Sequence, residues 1–262
     1  MSITDVPVIV PSYRRAGRVT TDKLMREMGF KSVVVFVRSE EASEYRKHHE
    51  TVRTVSSRVR GLGDTRQQML DEYKGHTVIM MDDDIRKFSV KPRCTDFGKL
   101  KTATAADLKM MIDTILHMGQ VGAIVDRWTV ARPYREAFKY RGLMRQCFIL
   151  RHDRGPMRFD RMQLFHDLDF SLQSLEMGQK MTIPATMCVE SPPSTSKVED
   201  GGADAIRAEM KAKLRGEVTL GRVLAEQLKE LHPRYVQLDP DRTLKRSFMT
   251  VRWDKARKEN AL

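Results

Sequence analysis

Over its first ninety residues the chain repeats one pattern, a short apolar run followed by an amphipathic stretch. That pattern commits it to βαβ units and a largely parallel sheet. Val6 to Val10 reads as a buried strand, Val19 to Met28 as a helix closed by Gly29, and Ser32 to Val37 as a second strand. Ser39 to His49 is the next helix and Thr51 to Val55 a short third strand. Asp64 is placed to cap a helix running to Tyr73, and Thr77 to Met81 is a fourth strand that runs directly into Asp82, Asp83 and Asp84.

The order then loosens. A loop around Pro92 to Gly98 precedes a helix from Ala105 to Met118 and a strand from Val121 to Val125. From Arg127 to Arg145 cations alternate with rings before a strand from Gln146 to Leu150. Asp167 to Met177 is helical and closed by Gly178. Ser191 to Gly202, rich in Pro, Ser and Gly, reads as a mobile loop or hinge. It leads to a helical stretch from Ala205 to Leu231, with a break at Gly216, and a strand from Ser247 to Trp253. No internal repeat is visible. At 262 residues the expectation is one α/β domain over residues 1–190, with halves 1–90 and 91–190, and a loop plus helical extension over 191–262.

Charge and cysteine usage narrow the partners. The formal net charge is +12 and the pI near 9.7. Such a surplus draws polyanions, although a basic chain can also be merely soluble. No apolar run approaches the roughly 20 residues of a membrane helix, and the start MSITDVPVIVPSYRR lacks a basic leader and cleavage site. The cytoplasm is the expected compartment, with no membrane and no obligate protein partner. Cys94, Cys147 and Cys188 are odd in number and widely spaced, which fits reduced, buried thiols rather than disulfides or a zinc site.

Three consecutive carboxylates after an apolar strand repel one another unless the strand end is wet or carries a cation. Mg2+ or Mn2+, which takes one or two carboxylates together with phosphate oxygens, would relieve Asp82 and Asp84 at the edge where open α/β sheets bind ligands. The bland reading is a solvated acidic turn.

At these residues the chain begins to resemble family 2-like, GT-A fold glycosyltransferases, and four segments do so in order. Val8 to Arg15 (VIVPSYRR) looks like the first strand and nucleotide-binding turn, implying donor contacts from Pro11, Ser12, Tyr13 and Arg15. Arg14 stands where that family usually has asparagine. Val33 to Ser39 (VVVFVRS) resembles the strand whose end flanks the nucleobase, which implicates Arg38 and Ser39. The family's aspartate is absent there. Gly61 to Gln67 (GLGDTRQ) is similar to the element that opens the helix before the metal strand, with Gly61 and Arg66 matching. Phe165 to Gly178 resembles the helix start that carries the general base. There His166 replaces a glutamate and Asp167 matches the base, a position where aspartate also serves as an N-cap. Asp169 reads as a supporting group or as first-turn charge.

The opening VPSYRRAGRVTT, with MDDD and HDLDF, more narrowly resembles the phage-encoded TET-associated glycosyltransferases. That resemblance implies a GT-A fold with a helical C-terminal appendage, and a UDP-sugar donor bound by the residues above together with Asp82 and Asp83. It also implies a Mn2+ or Mg2+ ion on Asp82 and Asp84, a hydroxymethylated pyrimidine in DNA as acceptor, and the host cytoplasm as compartment for a phage product. Arg132, Arg135, Lys139, Arg145 and His166 are the candidate acceptor contacts, since arginines neutralise phosphates and neighbouring rings can stack on an extruded base. A solvated face with core aromatics explains the same stretch about equally well. Tail cations such as Lys245 and Arg246 offer a second contact or a solvated terminus. The competing functions are a transferase for a saccharide or small molecule, a non-catalytic nucleic-acid-binding module, and a nucleotidyltransferase.

Overall fold

The computed structural model describes residues 2–192, 208, 212, 220–238 and 249–253. Its strands are β1 (Val8–Pro11), β2 (Val33–Arg38), β3 (Val52–Val55), β4 (Val78–Met81), β5 (Lys87–Val90), β6 (Lys101–Thr102), β7 (Val121–Ile124), β8 (Phe138–Lys139), β9 (Cys147–Leu150), β10 (Met181–Pro184), β11 (Met187–Glu190), β12 (Val236–Leu238) and β13 (Met249–Val251). The helices are α1 (Thr20–Glu27), α2 (Ala42–Tyr45), α3 (Leu62–Glu72), α4 (Ala105–Met118), α5 (Arg127–Val130), α6 (His166–Glu176) and α7 (Leu220–Leu231).

Eight strands form one sheet in the order β3-β2-β1-β4-β9-β7-β10-β8. The four strands of the repeating pattern pair in parallel, with Val8 opposite Val33 and Ile79. β9 then runs antiparallel between β4 and β7, and β10 lies parallel to β7. Six of the eight strands therefore point the same way. This is a mixed α/β architecture with a mostly parallel central sheet flanked by helices. Alternation along each strand divides the core: Val8, Val10, Val35 and Ile79 pack on one face, and Ile9, Phe36, Met80 and Phe148 on the other. α7 joins the second face, burying Leu224 and Leu228 in the same cluster.

Several expected elements differ. Ser39 to His49 is a 3-10 turn (Ser39–Glu41) followed by the single turn of α2, after which the chain leaves the helix. Asp64 does not cap α3. Gly61 is the N-cap, and Asp64 sits one turn in, accepting from the backbone N–H and guanidinium of Arg60. β5 and β11 pair antiparallel in a second, three-stranded sheet with β6. The loop expected at Ser191 to Gly202 lies outside the described residues beyond Pro192, as do most of the stretch preceding Leu220 and the cations Lys245 and Arg246.

Candidate active site

β1 and β4 are neighbours, so both open onto the same edge of the sheet. Three backbone-level ties hold the acidic turn after β4. The Asp82 N–H donates to the carbonyl of Gln146 at 2.8 Å, the Thr20 N–H donates to the Asp83 carbonyl at 3.0 Å, and the Thr21 hydroxyl donates to the Asp82 carbonyl at 2.6 Å. The start of α1 thus latches the turn, using donors a helix N-terminus has to spare.

The three carboxylates have different surroundings. Asp83 is buried, accepts from Ser12 Oγ at 2.6 Å and pairs with Arg15 at 3.0 Å. Ser12 also bonds the hydroxyl of Tyr45, whose pKa burial pushes up to about 12. That hydroxyl accepts the Arg15 N–H at 2.9 Å. Asp83 therefore fixes the turn after β1. Asp84, on the other side, meets Arg15 at 3.4 Å and keeps 31% of its side chain exposed.

Asp82 is strongly perturbed. Burial, with the charges of Asp84, Asp83 and Asp167, raises its pKa to about 7 against the opposing pull of Arg66. Arg66 reaches it from α3 in a direct ion pair. Its guanidinium is packed over the rings of Phe148 and Phe159 at 4.9 and 5.7 Å, and its side chain is 3% exposed. The second amino group of Arg66 bonds His166 Nε2 at 2.7 Å. Burial and the Arg66 charge hold the His166 pKa well below its ordinary value, so the imidazole is neutral and Nε2 accepts.

His166 and Asp167 open α6, and the residue capping that helix is Phe165, in the left-handed conformation at φ +60°. Asp167 is accordingly not the N-cap. A non-glycine residue there is strained by about 1–2 kcal/mol. The strain turns the first residues of α6 into the cleft beside Arg66. Burial raises the Asp167 pKa, with Arg66 and Arg145 opposing. Asp169 is fully buried rather than a first-turn surface charge. It accepts from His232 Nε2 at 2.7 Å and Gln173 at 2.9 Å, while the other ring nitrogen of His232 lies 2.7 Å from Glu176. This network clasps the end of α7 onto α6.

A cleft of about 1000 Å³ runs along this edge. Of the candidates, it brings together Pro11, Ser12, Tyr13, Arg15, Arg38, Gly61, Arg66, Asp82, Asp83, Asp84, Arg145, His166 and Asp167. Arg38 lies over the Tyr13 ring at 4.3 Å. Ser39 sits outside the cleft lining with its hydroxyl on Glu40, and Arg135 is exposed away from it. Arg132 and Lys139 line a separate pocket. Asp126, which the sequence reading missed, also lines the cleft and pairs with Arg145. Its signal was present: VGAIVD is a second apolar run ending in aspartate, like VIMMD.

Among the described residues no three His, Cys, Asp or Glu side chains are grouped to hold a metal by themselves. Asp82 and Asp84 supply two carboxylates, a donor set suited to a hard divalent ion completed by phosphate oxygens. The raised pKa of Asp82 marks a place where positive charge would be stabilised.

An open α/β sheet with paired carboxylates and arginines at its strand ends defines the class, a GT-A-like α/β fold. Within that class, the family model for TET-associated glycosyltransferases matches residues 6–192, and the chain belongs to that family. It is a glycosyltransferase. No curated protein matches the chain. No helix among the described residues is long and apolar enough to cross a membrane.

Proposed function

We propose that the protein transfers a sugar, with inversion, from a UDP-sugar to the hydroxyl of a hydroxymethylated pyrimidine in DNA. The observation that carries this reading is the meeting of Asp82, Asp84, Arg66 and Asp167 in one cleft. Mg2+ or Mn2+ held by Asp82 and Asp84 would supply neutralisation of the leaving diphosphate.

Asp167 takes the proton of the acceptor hydroxyl as its oxygen forms a bond to the anomeric carbon. The bond from that carbon to the diphosphate oxygen breaks on the opposite face, and the electron pair leaves with UDP. A carboxylate whose pKa is raised by burial is a stronger base once deprotonated, and it remains deprotonated above that raised value. Neutral His166 orients the Arg66 guanidinium, which keeps Asp82 from being fully uncompensated. Asp83 holds Ser12 and Arg15 in register for the donor.

Intact-mass analysis tests this. Short DNAs carrying 5-hydroxymethylcytosine or 5-hydroxymethyluracil are incubated with a panel of UDP-sugars and Mn2+. A sugar-sized gain is expected on hydroxymethylated DNA and none on unmodified DNA. Release of UDP without any gain would favour a small-molecule or saccharide acceptor.

A further inference from the structure

Beside the cleft lies a second pocket of about 410 Å³, lined by Trp128, Thr129, Arg132, Pro133, Tyr134 and Lys139. Its volume falls in the range of small-ligand sites. The indole of Trp128 is 84% exposed, the most exposed large apolar side chain of the described residues. Arg132 has no ion-pair partner among the described residues. Lys139 donates to the Thr129 carbonyl at 3.0 Å and lies 4.9 Å from the centre of the Tyr134 ring.

The pocket wall is built rather than incidental. Lys91, 1% exposed, places its ammonium among four backbone carbonyls: Val130 at 2.8 Å, Cys94 at 2.9 Å, Arg132 at 3.1 Å and Asp96 at 3.3 Å. Tyr134 N–H adds a bond to the same Cys94 carbonyl at 2.9 Å. One buried cation therefore staples the Trp128–Tyr134 segment to the loop before it. It also adds to the burial that depresses the Lys139 pKa. Asp126, which lines the large cleft, stands two residues before Trp128, so their Cα atoms are at most about 7 Å apart.

We infer that this pocket is a nucleotide subsite separate from the transfer cleft. There Trp128 stacks on a base of the acceptor strand next to the modified one, and Arg132 meets its phosphate. The inference rests on the DNA-acceptor reading. The chemistry is that of single-strand binders, in which a ring offers a stacking platform beside cations that follow the backbone. Lys91 is a positioning residue, because it shapes the wall and has no face on the nucleotide.

The test separates this site from the reaction. In a Trp253→Phe background Trp128 is the sole indole, and its emission is titrated with unmodified octathymidylate and, separately, with UDP. Quenching by the oligonucleotide but not by UDP is expected, and absence of oligonucleotide quenching overturns the inference. In turnover, Trp128→Ala should raise the KM for hydroxymethylated oligonucleotide about 5- to 150-fold and leave the donor KM unchanged. Transfer with an unaltered oligonucleotide KM would overturn the subsite alone. Quenching in a protein that transfers no sugar would leave the subsite standing and remove the proposed function.

Discussion

Replacing Asp82 with asparagine should stabilise the metal-free protein while abolishing sugar transfer. The folded state raises the Asp82 pKa from 3.8 to about 7. Below about pH 4 the carboxyl is protonated whether folded or unfolded, and it costs nothing. As pH rises from 4 to 7 the unfolded chain ionises first, so stability is lost across that window and stays lost above it. Three pKa units correspond to about 4 kcal/mol, an upper figure because 30% of the side chain meets solvent. Asparagine still accepts from Arg66 but gives up the charged pairing, an offset of about 1–3 kcal/mol. The net gain above pH 7 is about 1–3 kcal/mol, or roughly 2–10 °C in Tm. Thermal scans of both proteins in chelator at pH 5, 6, 7 and 8 should show a gap that widens up to pH 7 and then levels. Added Mn2+ should raise the Tm of the wild type and leave Asp82→Asn unchanged. A variant less stable at pH 8 would refute the electrostatic assignment, and an equal response to Mn2+ would refute the metal site.

Asp167→Asn should lower the transfer rate by about 10²- to 10⁴-fold with little change in donor KM. The wild-type rate should fall on acidification through a limb lying above the ordinary carboxylate range, because burial raises this pKa; a pH–rate profile without that limb would remove Asp167 from the base role. Gly63→Ala should destabilise by about 1–3 kcal/mol, read as a lowered Tm. A Cβ there would stand 2.4 and 2.5 Å from the carbonyls of Met162 and Phe159, and α3 would have to move with Arg66. Lys91→Met keeps the apolar stem but removes a donor from four carbonyls, of which that of Cys94 keeps the Tyr134 N–H. It should cost about 3 kcal/mol in chemical denaturation and weaken oligonucleotide binding with the donor KM unaffected.

The part of the site most legible in the sequence is the part built by local order. β1 to β4 are consecutive parallel strands, so their apolar runs could be read singly, and the acids after β4 had to emerge at the ligand-binding edge. What resisted reading depends on partners far apart in the chain. β5 is four residues long and pairs with β11 about a hundred residues later. β9 was visible as a strand, but nothing local says that it inserts antiparallel between β4 and β7. Phe165 carries no residue-type signal for a left-handed cap, since glycine or asparagine is the usual choice. Lys91 looks like any surface lysine until four carbonyls close around it, and Asp169 looks like helix-start charge until His232 arrives from the C-terminal region. Arg132 and Lys139 were grouped with Arg145 by composition, yet the fold divides them between two pockets.

That division bears on how a polyanion could approach an acidic centre. The cleft lining includes five aspartates, and arginines from separate elements hold four of them: Arg66 on Asp82, Arg15 on Asp83 and Asp84, and Arg145 on Asp126. A DNA phosphate laid over Asp82, Asp84 and Asp167 would meet like charge in a poorly solvated place. Arg132, which has no acidic partner among the described residues, lies off the cleft on a rim it shares with the exposed Trp128, while Arg38 and Arg86 line the cleft away from any ion pair among the described residues. On the proposed reading, the backbone lies on that rim, clear of Asp82, Asp84 and Asp167. The part of an acceptor strand able to reach Asp167 is then an uncharged one, as the hydroxymethyl group of an extruded pyrimidine is.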